Sequence, residues 1–193
     1  MQFMDPEPAS DEVLMQRYAG GEAKAFELLY QRHEMRVWRY LERNVRNTAV
    51  ADELMQEVWF SVAREASRYR PTARFSTWLF AIAHNRMVDA IRSCRPQVSL
   101  TALGPEDNPV VVPLIDDPQR GPHALAVARE QAQQLNRAVE ALPDEQREAF
   151  LLQVEGELTV DEIAVLTDCS FETAKSRLRY ARSKLREQLK EYL

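Results

Sequence analysis

The chain has 193 residues, with 25 Lys and Arg against 30 Asp and Glu, and its formal net charge is −5. It is long enough for one large domain or two small ones, and it has no apolar run long enough to span a bilayer. Its acidic, proline-containing start is unlike a secretory signal, so we expect a cytoplasmic protein without membrane insertion.

Apolar residues recur at helical spacing through most of the first half of the chain, in residues 11–43, 51–68 and 75–91. The adjacent Gly20 and Gly21 interrupt the first of these segments and divide it into a short helix and a longer one. We therefore expect a helical domain over residues 1–95.

The composition changes after residue 95. Pro96 to Pro122 contains six prolines, two glycines and four acidic residues, and it shows no helical period. This composition is typical of a flexible linker. Helical spacing then resumes, so the expected fold is all-α. Two small helical domains, at 1–95 and 124–193, would be joined by a flexible linker at 96–123.

The segment TVDEIAVLTDCSFETAKSRL, residues 159–178, has the layout of a helix-turn-helix. Thr159 is expected to cap a short helix, and Asp168 to Ser170 to form the turn. In the second helix a stripe of apolar residues lies beside a stripe of basic residues. The apolar stripe is Ala174, Leu178, Ala181, Leu185 and Leu189, and the basic stripe is Lys175, Arg179, Arg182 and Arg186.

Positive charge is concentrated near this second helix although the whole chain is acidic. Residues 170–193 have 7 basic and 3 acidic side chains, whereas residues 129–169 have 3 basic and 10 acidic ones. A solvated basic face would explain the stripe alone, but its combination with the turn favours duplex DNA binding. The candidates for contacts to base edges and phosphates are Thr173, Lys175, Ser176, Arg177, Arg179, Tyr180 and Arg182.

A second basic zone differs in kind, because aromatic residues are interleaved with the cations. Residues 64–95 have 7 basic and 2 acidic side chains. Aromatic rings among cations suit unstacked bases, and a loop at 69–75 could form a pocket for an extruded base. The alternative is that these aromatic residues simply form the core. The candidates for single-strand contacts are Arg70, Thr72, Arg74, Phe75 and Asn85.

Three stretches together carry a resemblance to a known family. AVADELMQEVWFSVAREASRYR is similar to a DAEDLvQEvF helix, and RFSTWLFAIAHNRMVDAIR to a FraWLyrIArN pattern. The segment from Ala141 to Leu185 is similar to a helix-turn-helix that follows them in the same order. The chain thus resembles the extracytoplasmic-function (ECF) sigma factors, which are promoter-specificity subunits of bacterial RNA polymerase.

The resemblance implies an alternative sigma factor that directs promoter-specific transcription initiation, with core RNA polymerase and promoter DNA as partners. Helix 51–68 would dock on the clamp coiled coil of the largest polymerase subunit through Leu54, Gln56, Glu57 and Val58. The basic-aromatic zone would capture the melted minus-ten element, and the helix-turn-helix would recognise the minus-thirty-five element as duplex. Family members are commonly held inactive by an anti-sigma factor, but no residue here identifies one.

The sequence departs from the family pattern at three positions. Val50 stands where the family often has Asp, and Asp168 and Glu172 stand where it often has Gly. Asp168 would have to form the turn without a glycine, which Asp does better than most residues. Glu172 would repel phosphate and can instead accept a hydrogen bond from a cytosine amine.

Two other classes of protein remain to be weighed. A helix-turn-helix repressor or activator that acts on duplex DNA would explain residues 159–186 but leave the 69–85 zone without a role. An enzyme is not expected, because the three histidines are scattered and the chain has neither an HExxH pattern nor a glycine-rich phosphate loop. We accordingly expect no cofactor, no metal and no small-molecule substrate.

Overall fold

The computed structural model describes residues 9–94 and 122–190, and every regular element in these ranges is helical, as predicted. The prediction of a flexible linker at 96–123 concerns residues that lie almost entirely outside these ranges. The helices are α1 (Asp11–Ala19), α2 (Ala23–Val45), α3 (Thr48–Glu65), α4 (Phe75–Cys94), α5 (Pro122–Glu140), α6 (Asp144–Val154), α7 (Val160–Leu166) and α8 (Phe171–Gln188).

The first domain contains α1 to α4 and is held together by apolar faces. The predicted break after α1 is confirmed: Gly20 is its C-cap, and Gly21 has a φ of 100°, which glycine adopts without steric cost. Helices α2, α3 and α4 contact one another around a common core. Its fully buried members include Leu29, Val37, Leu41, Val58, Val62 and Leu79.

Capping groups fix the starts of α3 and α4, and only the start of α3 differs from the predicted one. Helix α3 begins at Thr48 rather than near residue 51, since the Asn47 side chain accepts a hydrogen bond of 3.1 Å from the Val50 N–H. At the start of α4, the Phe75 N–H donates to Glu12 Oε1 at 2.8 Å. Glu12 lies 63 positions earlier in the chain, so the cap of α4 depends on the docking of α1.

Replacing Glu12 with alanine should lower the free energy of unfolding by about 1 kcal/mol, the usual cost of a lost N-cap. The hydrogen bond from the Phe75 backbone holds the pKa of Glu12 below its ordinary value of 4.5. Stability from this group is therefore complete above pH 4.5 and is lost as pH falls through the lowered pKa. Urea unfolding at pH 7 and pH 3 would measure both effects.

The matched control is Glu12→Gln, because the glutamine amide keeps a hydrogen-bond acceptor but has no carboxylate to protonate. It should retain most of the stability at pH 7 and lose the pH dependence that Glu12 contributes. Equal stability of the alanine variant and wild type at pH 7 would show that this cap contributes nothing.

The second domain contains α5 to α8, and its helix-turn-helix forms as predicted. Thr159 and Glu162 make a reciprocal capping box at the start of α7. Asp168 adopts a φ of 48° in the turn, and the Ser170 side chain caps α8. In the apolar stripe of α8, Ala174, Leu178, Ala181 and Leu185 are buried against α6 and α7.

The two domains lie directly against each other. Helix α2 contacts α6, and α4 contacts α7. The buried apolar residues of both domains form one continuous cluster, which extends from Leu14 in α1 to Leu185 in α8. The two predicted basic zones, in residues 64–95 and 170–193, therefore belong to one packed unit.

Candidate polymerase and DNA interfaces

The outer face of α3 is the candidate docking surface for a large partner. Gln56 and Glu57 are exposed on it, as their polarity predicts. Of the other two residues predicted to contact the polymerase, Leu54 is only 3% exposed and Val58 is fully buried, so neither side chain lies on this outer face. Their apolar side chains pack in the core and hold the helix in place.

Phe60 is the residue on this face that the sequence analysis missed. Its side chain is 75% exposed, the highest exposure of any aromatic residue in the described ranges. It follows Gln56 by four positions and Glu57 by three, and residues at these spacings share one side of a helix. This spacing could have identified Phe60 as a surface residue from the sequence alone. The adjacent Trp59, which is only 6% exposed, makes this difficult, because two neighbouring aromatic residues look equally hydrophobic.

The loop before α4 rests on a cluster of aromatic rings. The Tyr69 ring lies 6.2 Å from the ring of Phe75 and 5.0 Å from that of Trp78. Phe75 is fully buried and Tyr69 is 7% exposed. Phe75, which was predicted to contact single-stranded DNA, thus lies in the core of this structure, where its ring packs against neighbouring rings.

Burial also raises the pKa of the Tyr69 hydroxyl to about 12, with the nearby Glu12 and Asp11 carboxylates adding to the effect. The Tyr69 hydroxyl therefore stays neutral, and its buried ring packs against the rings that support the loop. In the same region, Arg70 and Thr72 of the loop are exposed, and Asn85 is exposed about three turns into α4. These three polar side chains are accessible to a nucleic acid.

Arg74, another of the predicted single-strand contacts, is bonded to the other domain. Its guanidinium donates to the Glu157 carbonyl oxygen and lies 3.1 Å from Glu162 Oε2. The Thr77 hydroxyl donates to Glu162 Oε1 at 2.7 Å. Arg74 and Thr77 are thus both engaged by one carboxylate of α7.

The exposed face of α8 carries most of the predicted duplex contacts. Thr173, Lys175, Arg179 and Tyr180 are exposed. The Arg179 guanidinium lies over the Tyr180 ring, 4.9 Å from its centroid, which holds both side chains near the middle of the helix. The geometry is compatible with insertion of this helix into a major groove.

Three of the predicted duplex contacts are less free than the sequence suggested. Arg177 forms an ion pair of 2.7 Å with Glu145 at the start of α6, and Ser176 is partly buried. Arg182 is exposed, but its guanidinium donates to the Gln153 side chain. Because Glu145 neutralises the charge of Arg177, this arginine is better suited to joining α6 to α8 than to attracting a phosphate.

Comparisons with known proteins agree with this arrangement. Residues 29–96 match the model of Sigma-70 region 2, and residues 132–185 match that of Sigma-70 region 4. The RNA polymerase sigma factor CarQ of Myxococcus xanthus is 36% identical over 186 residues, which are 92% of this chain and 96% of CarQ. The chain belongs to the ECF sigma factors of bacterial RNA polymerase.

A second relative is the ECF RNA polymerase sigma-E factor of Escherichia coli K12, which is 31% identical over 181 residues. The alignment covers 91% of this ECF sigma factor and 92% of the relative. Like its relatives, this sigma factor associates with core RNA polymerase and directs initiation at promoters.

Solved structures show the same fold. CnrH, in complex with the cytosolic domain of CnrY, matches with a TM-score of 0.62 at 20% identity, over 95% of this chain and 99% of CnrH. The sigma factor RpoE of Bartonella quintana, in complex with the anti-sigma factor NepR, matches with a TM-score of 0.65 at 21% identity. That match covers 87% of this sigma factor and 98% of RpoE.

The family assignment names the two domains. The α3 face, the loop before α4 and Asn85 lie within the region 2 match, and α7 and all but the end of α8 lie within the region 4 match. In the described ranges, 9–94 and 122–190, no helix is long and apolar enough to cross a membrane. The same ranges contain no cluster of His, Cys, Asp and Glu that could hold a metal ion.

Proposed function

We propose that this sigma factor divides its work among three surfaces: the outer face of α3 for core polymerase, the loop before α4 with Asn85 for the melted minus-ten element, and α8 for the minus-thirty-five duplex. The observation that carries this proposal is that each of the three is an exposed polar or aromatic surface whose supporting residues pack into the core. The domains would correspond to residues 1–95 and 124–193, with residues 96–123 between them.

The polymerase contact is assigned to Gln56, Glu57 and Phe60. The two polar residues have no role in the core, because they are exposed. An exposed aromatic ring flanked by polar groups is the usual composition of an interface centre, since it removes much apolar area from water when a partner covers it.

The single-strand contacts are assigned to Arg70, Thr72, Arg74 and Asn85. An amide side chain can form two hydrogen bonds with a base edge, whereas an arginine next to it can hold the backbone phosphate. Because bases expose all their edges only after melting, these residues would stabilise the open form of the promoter and not the closed duplex.

The duplex contacts are assigned to the exposed face of α8, with Arg179 and Thr173 nearest to base edges and Lys175 and Arg182 on phosphates. Glu172 and Tyr180 line a cleft of about 530 Å³ beside the start of α6. Glu172 is exposed and can accept from a cytosine amine at the edge of the groove.

Transcription by reconstituted holoenzyme tests the whole proposal. Sigma-free core polymerase and a library of promoter fragments would be incubated with and without the purified chain, and the transcripts sequenced. We expect initiation from a subset of fragments that share two elements at a set spacing. Transcripts that do not depend on the chain, or start sites without a common upstream element, would contradict it.

A change in Arg182 should affect duplex binding differently from a change in Arg179. Arg182→Ala removes a phosphate contact, so it should weaken binding to all sequences and reduce the salt slope by about one. Arg179→Ala should cost about 1–3 kcal/mol and relax the preference at one base pair. Binding isotherms at several salt concentrations, on matched and mutated elements, separate these outcomes.

The control for this pair is Lys190→Ala, which removes one exposed positive charge beyond the end of α8. Its effect on duplex affinity should be smaller than that of either arginine. If all three variants lose affinity equally on every sequence, α8 contributes only general positive charge, and the assignment of Arg179 to a base edge is wrong.

A transcriptional repressor or activator that acts only on duplex DNA is not favoured, since it leaves the region 2 match and the α3 face without a role. We also propose that the protein is cytoplasmic, because core polymerase and promoter DNA are in the cytoplasm. We propose further that it has no enzymatic activity, because its exposed surfaces suit the binding of polymerase and DNA. An anti-sigma factor is a further proposed partner, supported by the solved complex of RpoE with NepR.

A further inference from the structure

We infer that Tyr180 is a positioning residue for Arg179, and that it enables Arg179 to recognise a guanine in the major groove of the minus-thirty-five element. The inference rests on the proposed function, because it requires α8 to lie in that groove. It goes beyond that function by naming the base that is selected and by giving Tyr180 a role that acts through its neighbour.

The basic side chains of α8 differ in the groups that hold them. The Arg177 guanidinium is paired with Glu145 at 2.7 Å. The Lys175 ammonium lies 3.7 Å from the Glu172 carboxylate. In the part of the chain that the structure describes, the exposed Arg179 side chain forms neither an ion pair nor a hydrogen bond. No carboxylate in that part of the chain therefore occupies its N–H donors.

Arg179 is held instead by the ring of Tyr180. Its Cζ lies over the ring at 4.9 Å from the centroid, within the distance of about 6 Å at which a ring face attracts a cation. A carboxylate would occupy the N–H groups of the guanidinium, whereas a ring attracts its charge and leaves these donors available to another acceptor. The contact thus restrains the arginine without using the groups that would read a base.

Tyr180 is suited to this supporting role and is not a core residue. Its side chain is 54% exposed and lines the cleft of about 530 Å³ between α8 and the start of α6. Tyrosine has only two side-chain torsions, so its ring can hold a neighbour at little cost in conformational entropy. An unrestrained arginine loses more rotamer freedom when it binds a base, and a side chain already held in place loses less.

Guanine is the base that this arrangement favours. In the major groove guanine presents two acceptors, O6 and N7, whereas adenine presents an acceptor beside a donor, and cytosine presents a donor. The N–H fork of an arginine can donate to both guanine acceptors at once. A guanidinium has no acceptor, so it cannot bond the amines of adenine or cytosine.

The test uses holoenzyme reconstituted from core polymerase and the full-length chain. Its template is an active fragment from the promoter library with the minus-thirty-five element randomised. A barcode in the transcribed part of each fragment lets sequencing of the transcripts give the base preference at each position. Three variants are compared with wild type: Tyr180→Phe keeps the ring without the hydroxyl, Tyr180→Leu removes the ring, and Arg179→Lys keeps the charge without the planar fork.

The matched control is Phe171→Leu on the same helix. The Phe171 ring also lies beneath a cation, because Lys175 Nζ is 5.7 Å from its centroid. A lysine has no planar fork to be oriented for guanine, so this variant should keep the wild-type guanine preference.

With wild type we expect guanine to be enriched about 5- to 150-fold over the other bases at one position of the element, the usual discrimination of a bidentate contact. Arg179→Lys should abolish this enrichment. Tyr180→Leu should reduce it by about two- to fivefold, the effect of losing a cation–π contact at an exposed site. Tyr180→Phe should retain it, and the preferences at the other positions should not change in any of these variants.

Two results would overturn the selection of guanine: no guanine-enriched position with wild type, or an enrichment that survives Arg179→Lys. The positioning role would be wrong if Tyr180→Leu kept the full enrichment. It would also be wrong if Tyr180→Phe lost as much as Tyr180→Leu, because the hydroxyl would then be the active group. A loss of preference at every position alike in Tyr180→Leu would show a general structural role in its place.

These outcomes also distinguish the inference from the proposed function. If wild type shows no base preference at any position of the upstream element, the assignment of α8 to the minus-thirty-five duplex fails. If the element is recognised but its preferences do not depend on Arg179 or Tyr180, that assignment stands and the guanine reader is wrong.

Discussion

Replacing Phe60 with alanine should weaken the binding of this sigma factor to core RNA polymerase by about thirtyfold or more, the effect of losing an aromatic hot spot of 2 kcal/mol. The ring is 75% exposed in the free chain and can be buried only by a partner. For the same reason the free energy of unfolding should change by less than about 0.5 kcal/mol. Fluorescence anisotropy with labelled chain and purified core would measure the affinity, and urea unfolding the stability.

The control is Leu28→Ala, which removes an apolar side chain that is 45% exposed on α2 of the same domain. Its core affinity should equal that of wild type. Gln56→Ala with Glu57→Ala should weaken binding less than Phe60→Ala, since polar residues at an interface rim contribute less than a buried aromatic ring. Unchanged affinity in both the Phe60 and the double variant would remove α3 from the polymerase interface.

Replacing Asn85 with alanine should reduce open-complex formation by about 5- to 150-fold, which corresponds to the loss of about 1–3 kcal/mol of base contact. Duplex affinity should be unaffected, because the base that Asn85 contacts is accessible only after melting. A pre-melted bubble template need not rescue the variant, since the lost contact is to the base itself. Permanganate footprinting of promoter opening, beside a gel shift on closed duplex, would separate the two steps.

Ser93→Ala is the matched control on the same helix. Ser93 is also exposed and polar, but its hydroxyl bonds only the Ala90 carbonyl of its own helix. It should open promoters as wild type does. If Asn85→Ala opened promoters normally, or if Asn85→Ala and Arg179→Ala lost duplex binding alike, region 2 and region 4 would not divide single-strand and duplex recognition between them.

The sequence by itself was sufficient for the elements whose causes are local. Thr159 caps α7 as expected, and α1 ends at the predicted pair Gly20 and Gly21. Capping, turn formation and helical periodicity depend on residues within about four positions of one another, so they can be identified without the fold. The motifs that identify the family are made of these same local patterns.

Burial was harder to predict for residues beside a functional motif. Leu54, Val58 and Phe75 match family motifs and yet are core residues, whereas Phe60, one position past the DAEDLvQEvF pattern, is exposed. A motif marks positions that matter but does not say whether they act by contact or by packing. Only the docking of α2 and α4 onto α3 decides which side of α3 faces water.

Contacts between residues far apart in the chain were decided by the tertiary structure alone. Glu12 caps α4 from 63 positions away, and Glu162 bonds Arg74 from 88 positions away. The acidic composition of residues 129–169 and the basic composition of residues 64–95 were evident from the sequence. A count of charges, however, does not show which way the side chains point. Whether those charges face water, DNA or each other depends on how the two helical domains meet, and this is a property of the folded chain.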